Sequence, residues 1–232
     1  MVSIIIPFNS IQPDRIKVFD WICQYYMNVY VECEIIIGKD NSGKEMYCKA
    51  NAINNAVKLA KYDILMIADA DTFLPKYVFD QCISEGYLDQ YSMIIPFGVC
   101  ADLNEEITKT IINGQDYNIQ KYDLLNNIRF GRDVREERLA GGIHILLKDT
   151  FEASGGYDER FIGWGCEDYS FCRKIKCLFG EYKMLDDQVI YHLYHHNERV
   201  GNNYSLLQEY DTARDDKELM KSIIRASKVK PK

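Results

Sequence analysis

The sequence predicts an α/β domain built on a mainly parallel, twisted sheet flanked by helices. In its first half the apolar runs "VSIIIPF", "CEIIIG" and "DILMIAD" alternate with the helix-like stretches "PDRIKVFDWICQYYMNV" and "KANAINNAVKLA". Such a β-α-β-α-β succession is the signature of strands wound parallel with helices on their faces. Each strand runs into a polar loop, "PFNS", "GKDNSGK" and "DADTF", and in open sheets of this kind ligands bind in the crevice outside the carboxyl ends of the strands. A chain of 232 residues, 47% hydrophobic and 27% charged, buries enough surface for one sizeable core.

The elements follow in order. "MVSIIIPF" reads as a first strand, because its apolar run is too short for the core of a signal peptide, lacks basic residues before it and is cut by Pro7. The second strand, second helix and third strand follow from the runs above. Pro75 opens a helix near "KYVFDQCISEGYL", and "SMIIPFGV" supplies a fourth strand. Residues 101–140 are polar with weak periodicity and read as an insertion of helices or a mobile flap. "LAGGIHILLKDTFEASGGYDERFIGWGCEDYSFCRKI" returns to strand, helix, Gly-rich loop and helix, and "QVIYHLYHH" is a late strand ending in histidines. The expected division is one domain over 1–204 and a helical tail with a basic end over 205–232. There is no internal repeat and no run of transmembrane length.

The formal net charge of -7 argues against a binder of nucleic-acid backbone, which needs a basic face. The 8 cysteines form no C-x-x-C pairs and read as reduced, packed thiols rather than a metal site or a disulfide framework.

"GKDNSGKE", Gly38 to Glu45, meets the phosphate-binding pattern G-x-x-x-x-G-K-[ST] at Gly38, Gly43 and Lys44, between a strand and a helix. It fails at the last position, where Glu45 would bring a carboxylate towards the phosphates instead of a hydroxyl towards Mg²⁺. "DADTF" places Asp69 and Asp71 directly after a strand, where alternate positions share a face and two carboxylates can converge on one divalent cation. A solvated turn is the alternative for a lone D-x-D. "WGCEDY" sets Glu167 and Asp168 beside Trp164 in a loop containing Gly163 and Gly165. One acid there suits a helix cap; two beside a ring that can stack on a sugar suit a base for a hydroxyl. "IYHLYHH" offers His192, His195 and His196 as neutral imidazole ligands. His144 lies on an apolar strand and reads as a core or cleft residue.

Together "IIIPFNS", the turn with Asp40, "KANAINNAVKLAKYDILMIADADT" and "AGGIHILLKDTFEASGGYDERFIGWGCEDYSFCRKI" resemble the GT-A nucleotide-sugar glycosyltransferases. The amino-terminal half is similar to the family-2 type. The carboxyl-terminal half resembles the motif shared by β-1,4-galactosyltransferases and polypeptide N-acetylgalactosaminyltransferases. The resemblance covers residues from about 1 to about 200 and implies a GT-A domain with a donor half at 1–100, the insertion at 101–140 and an acceptor half at 141–204.

It also implies roles. Donor binding falls to Pro7, Asn9, Asp40, Lys49, Asn51, Asp69, Gly141 and Gly142, with Asp40 accepting from the uracil N–H. Lys49 and Asn51 lie on the "K-x-x-A-x-N"-like helix of the family, with an exposed helix charge as the alternative for Lys49. Asp168 is the general base, Glu167 holds an acceptor hydroxyl and Trp164 lines the acceptor site. Asp71 and Asp69 bind Mn²⁺ or Mg²⁺ with His192, or failing that His195. A bound cation neutralises leaving phosphates as a Lewis acid. The implied reaction moves a hexose or N-acetylhexosamine from a UDP-sugar to a hydroxyl of a glycan or another acceptor, with inversion, in a microbial or viral host cytoplasm. A retaining transferase of the same fold, a P-loop-like nucleotide hydrolase and a non-catalytic sugar-binding relic are the rivals.

Overall fold

The computed structural model describes residues 1–114, 117–133, 141–196 and 200–227. Part of the expected insertion and the basic end of the tail lie outside them. The larger sheet is built on β1 (Val2–Pro7), which is buried throughout and pairs in parallel with β2 (Glu34–Gly38) on one side and β3 (Ile64–Ala68) on the other. Its continuous apolar sequence suits a strand covered on both faces. The connections are α1 (Pro13–Val29), started by the proline at its first position, and α2 (Lys49–Val57). These are the predicted β-α-β-α-β elements.

Beyond β3 the sheet becomes mixed. After β4 (Thr72–Phe73), α3 (Lys76–Ser84), β5 (Ile94–Ile95), β6 (Val99–Leu103), α4 (Glu105–Gly114) and β7 (Ile128–Asp133), the chain returns as β8 (Ile143–Leu147). Strand β8 runs antiparallel to β3, with Ala68 opposite Ile143 and Ile67 opposite His144. The carboxyl end of β3 therefore meets the amino end of β8, and Asp69 N donates to Gly142 O at 2.8 Å. This pairing brings the "DAD" and "GG" motifs together.

The chain then forms α5 (Lys148–Ala153), α6 (Glu167–Phe179), β9 (Lys183–Met184), β10 (Val189–His192), α7 (Tyr204–Thr212) and α8 (Lys217–Ser227). The larger sheet has the order β2-β1-β3-β8-β5-β9, and a second has the order β4-β10-β6-β7. The predicted single strand "SMIIPFGV" is divided between the two sheets. Pro96 supplies no N–H to continue the ladder after β5, and the chain re-enters as β6. The segment expected as insertion or flap is partly sheet, since β7 pairs antiparallel with β6. In β10 His192 pairs with Thr72 of β4, placing the histidine strand beside the residue after Asp71.

The main core includes Ile4, Ile5, Ile6, Leu65, Met66, Ile94 and Ile145. A smaller one joins Phe161 and Cys177 to Tyr210, Ala213, Met220 and Ile223, so the tail packs on the domain through α6. None of the eight cysteines is in a disulfide. Among the described residues no helix is long and apolar enough to cross a membrane.

Candidate active site

Asp69 and Asp71 diverge. The strand stops at Ala68, and Thr72 N donates to Asp69 O at 3.2 Å, closing a turn. Alternation therefore no longer holds, and the two carboxylates face different partners. Asp69, expected on the metal with Asp71, lies 2.6 Å from Lys49 Nζ. The same ammonium is 2.8 Å from Asp168 Oδ2 and 3.2 Å from Glu167 Oε1. One cation thus joins three acids from two distant parts of the chain, Asp69 after β3 and the adjacent Glu167 and Asp168 at the head of α6. Burial alone would lower the Lys49 pKa, but Asp168, Asp69 and Glu167 outweigh it and raise it. Lys49 is a partly buried hub, not an exposed helix charge.

Asp71 faces the histidines. Its Oδ2 is 3.0 Å from His195 Nε2 and its Oδ1 is 3.5 Å from His192 Nε2. One ligand atom from each of the three residues lies within 4.8 Å of the others. Both Nδ1 atoms are engaged behind: His192 with Asp102 at 3.2 Å, His195 with His196 O at 2.9 Å. Such partners orient an imidazole so that Nε2 points at a metal, and two nitrogens plus a carboxylate suit a divalent transition ion. The residues present therefore fit a cation. Burial would lower the His192 pKa, yet Asp71 and Asp102 push it up to about 9; a cation at Nε2 competes with that proton. The preferred His192 and the fallback His195 both belong to the group. Asp14, in the first turn of α1, accepts from His196 N at 2.9 Å and fixes the peptide that carries the His195 partner.

The acidic pair heads α6. Cys166 before it has φ 74°, the only positive value at a non-glycine among the described residues, a strained conformation of the kind found at functional sites. The preceding loop is tied down by Asn203, whose Nδ2 donates to Gly165 O at 2.9 Å and Ile162 O at 3.2 Å. At Gly163, with φ +71°, a Cβ would come within 2.4 Å of Val200 O, so only glycine fits. Trp164 remains 50% exposed. Glu167 is pushed up to about 7 by burial and then by Asp168, against Lys49, and its Oε2 is buried with no partner among the described residues. Asp168 is held below the usual carboxylate range: burial raises it, and Lys49, His144 and Tyr157 more than reverse this.

Of the residues expected to bind the donor, Pro7 ends β1 opposite Gly38, Asn9 is exposed, and Asp40 accepts from Cys48 N at 2.7 Å and Ser42 N at 2.8 Å. Asp40 thus shapes the loop, with carboxylate lone pairs left for a ligand. Asn51 spends its amide within the protein, accepting from Asn41 N at 2.8 Å and donating to Glu159 Oε2 at 3.0 Å. The asparagine of the K-x-x-A-x-N pattern is Asn54, which bonds the backbone of Tyr157. Gly141 faces Asp168. A phosphate-binding loop is not formed, because α2 begins only at Lys49 and Lys44 Nζ is bonded to Glu159 O. Three residues near the site had escaped sequence reasoning: Asp102, Tyr157 and Arg15, whose Nη2 is 3.4 Å from Asp71 Oδ2. An Arg on a helix, an Asp in a strand and a Tyr in a turn carry no local signal of this.

A Rossmann-like half whose strand ends face a carboxylate-headed helix is the arrangement of GT-A glycosyltransferases. The family model described as Glycosyltransferase like family 2 matches residues 3–232; the chain belongs to that family and is a glycosyltransferase. The catalytic domain of Drosophila β1,4-galactosyltransferase 7, solved with xylobiose, is similar at TM-score 0.51 and 15% identity, covering 90% of this chain and 80% of that one, a likeness that shows the fold. Also similar are residues 1–349 of S. aureus TarS with UDP-GlcNAc (TM-score 0.48, 13% identity, 99% and 68% covered). A mannosyltransferase from Pyrobaculum calidifontis with GDP-Man and Mn²⁺ gives TM-score 0.47 at 14% identity, with 97% and 73% covered. No curated protein matches the sequence.

Proposed function

We propose that this glycosyltransferase moves a hexose or N-acetylhexosamine from a UDP-sugar to an acceptor hydroxyl with inversion, using a divalent cation held by Asp71, His192 and His195. The observation that carries the reading is the juxtaposition, through Lys49 and Asp69, of a cation-ready Asp-His-His group with the buried carboxylate of Asp168. A bound Mn²⁺ or Mg²⁺ supplies Lewis-acid neutralisation of the leaving diphosphate. The UDP donor is taken from the sequence resemblance, with Asp40 and the loop of Asn9 next to the base.

The residues of the chain do the rest. Arg15 adds a second positive charge beside Asp71. Lys49 keeps Asp168 ionised, and Gly141 leaves room beside its Oδ2. Asp168 takes the proton of the acceptor hydroxyl as that oxygen bonds the anomeric carbon and the carbon–phosphate-oxygen bond breaks, its electron pair leaving with UDP. Glu167, pushed up to about 7 and so about half protonated at that pH, donates a hydrogen bond to the acceptor in its protonated form, and Trp164 stacks on its sugar face.

The test is the product linkage together with Asp168→Asn. An α-linked UDP-sugar is expected to give a β-linked product by proton NMR, and the variant to lose roughly 10²-fold or more in kcat with UDP affinity unchanged. An α-linked product would remove the need for a base and make Asp168 an acceptor ligand. Loss of UDP binding would move Asp168 to the donor site.

A further inference from the structure

Behind Asp168 runs a buried line of polar side chains that the reaction above does not use. The Tyr157 hydroxyl is 3.2 Å from Asp168 Oδ1 and 3.0 Å from His144 Nδ1, and His144 Nε2 is 3.5 Å from Cys172 Sγ. Tyr157, His144 and Cys172 are 2%, 1% and 6% exposed. An ionised carboxylate only accepts, and this sets the order of protons along the line. Tyr157 donates O–H to Asp168, its oxygen accepts from His144 Nδ1–H, and the Nε2 lone pair accepts the Cys172 S–H.

The phenol is held where it is by everything around it. Its ring stacks on Phe171 with centroids 4.1 Å apart and planes 11° from parallel. Asn54 brackets its backbone, accepting from Tyr157 N at 2.8 Å and donating to Tyr157 O at 2.9 Å. The turn before it needs glycine, since Gly156 has φ +72° and a Cβ there would lie 2.5 Å from Asn54 Oδ1. Lys174 donates to Gly156 O. On the far side of the carboxylate, Lys49 holds Oδ2. Asp168 is thus gripped at both oxygens, by groups from α2 and from the turn before α6.

We propose that Tyr157 is a positioning residue for the transfer reaction, its hydroxyl fixing the orientation of the Asp168 carboxylate, and that His144 acts through Tyr157 by fixing that hydroxyl. This rests on the reading of Asp168 as the base. A base must meet its proton within hydrogen-bond reach and in line, and a short acidic side chain held by Lys49 alone keeps freedom to turn about its last bond. Tyr157 removes that freedom.

The experiment reads UDP release from UDP-galactose or UDP-N-acetylglucosamine, whichever the wild type hydrolyses, with water as acceptor. Tyr157→Phe keeps the ring on Phe171 and removes only the hydroxyl. Its kcat is expected to fall roughly 10-fold with the KM for the UDP-sugar unchanged. His144→Leu is expected to lower kcat similarly, and to add nothing in the Tyr157→Phe background, because the two act as one unit. His144→Asn, which keeps an N–H donor towards Tyr157, is expected to restore most of the activity lost in His144→Leu. That rescue also covers the case in which loss of the hydroxyl unfolds the chain, which melting curves reveal. A folded Tyr157→Phe with wild-type kcat overturns the proposal, as does an effect confined to KM, and equal rates for His144→Asn and His144→Leu or additive effects overturn the part given to His144. Asp168→Asn measured alongside separates the premises. If it is inactive while Tyr157→Phe is fully active, the base stands and the positioning role fails; if it is fully active, both fail.

Discussion

Asp71 Oδ2 and His195 Nε2 stand 3.0 Å apart across 124 residues of sequence. The contact exists because β10 pairs antiparallel with β4, bringing the chain past His192 back across the turn that carries Asp71. It makes the two histidines joint members of one site.

Mn²⁺ affinity, read by calorimetry, is therefore expected to drop on substitution of either His192 or His195 by alanine, and of Asp71 most of all. Asp102→Asn leaves all three ligand atoms in place but weakens the partner of His192 Nδ1; a roughly 10- to 100-fold loss of affinity is expected, the usual consequence of removing such a partner. EDTA is expected to abolish UDP-induced thermal stabilisation and Mn²⁺ to restore it. Stabilisation by UDP that ignores chelation would remove the cation from the donor site. Affinity unchanged in His195→Ala would leave Asp71 and His192 alone.

Lys49→Met leaves Asp69, Glu167 and Asp168 without their common cation. Breaking a buried pair from one side costs about 3–5 kcal/mol. Towards pH 4 Glu167 and Asp69, whose burial raises them, take up protons while Asp168, held low by Lys49, keeps its charge; the loss shrinks in part, so the fall in Tm is expected to be larger at pH 8 than at pH 4. Melting curves at the two values check this, and equal losses would mean that the ammonium stabilises through packing alone.

Glu167 titrates at about 7 in the folded chain, against an ordinary value of 4.5. Between those values the folded state holds more protons than the unfolded one, so the contribution of Glu167 to stability declines as pH rises through the window. Glu167→Gln cannot ionise. It is expected to melt higher than the wild type at pH 8, with the difference vanishing by about pH 4. A constant difference across that range would place the Glu167 pKa in the ordinary range.

The first five elements were legible because their signals are local. Continuous apolar runs such as "IIIPF" and "ILMIA" demand burial on both faces, and the helix-like stretches between them leave one way to wind the sheet. The acids of "DAD" and "CED" and the histidines of "HLYHH" were legible as residue types at element ends. The division of "SMIIPFGV" between two sheets was not, nor was strand β7, because a polar strand of weak periodicity looks like any surface segment.

The sequence by itself determined which side chains are available at the strand ends and at the head of α6. Tertiary structure decided what each of them faces. A turn hydrogen bond sent Asp69 to Lys49 and left Asp71 to the histidines; the antiparallel approach of β8 put Gly141 beside Asp168; and the clamp by Asn54 aimed Tyr157 at the same carboxylate. The physical reason is range. Propensity and periodicity act over a few residues, whereas register and cross-strand contact are fixed by packing between segments a hundred or more residues apart, as with Lys49 and Asp168, 119 residues apart in sequence and 2.8 Å in space.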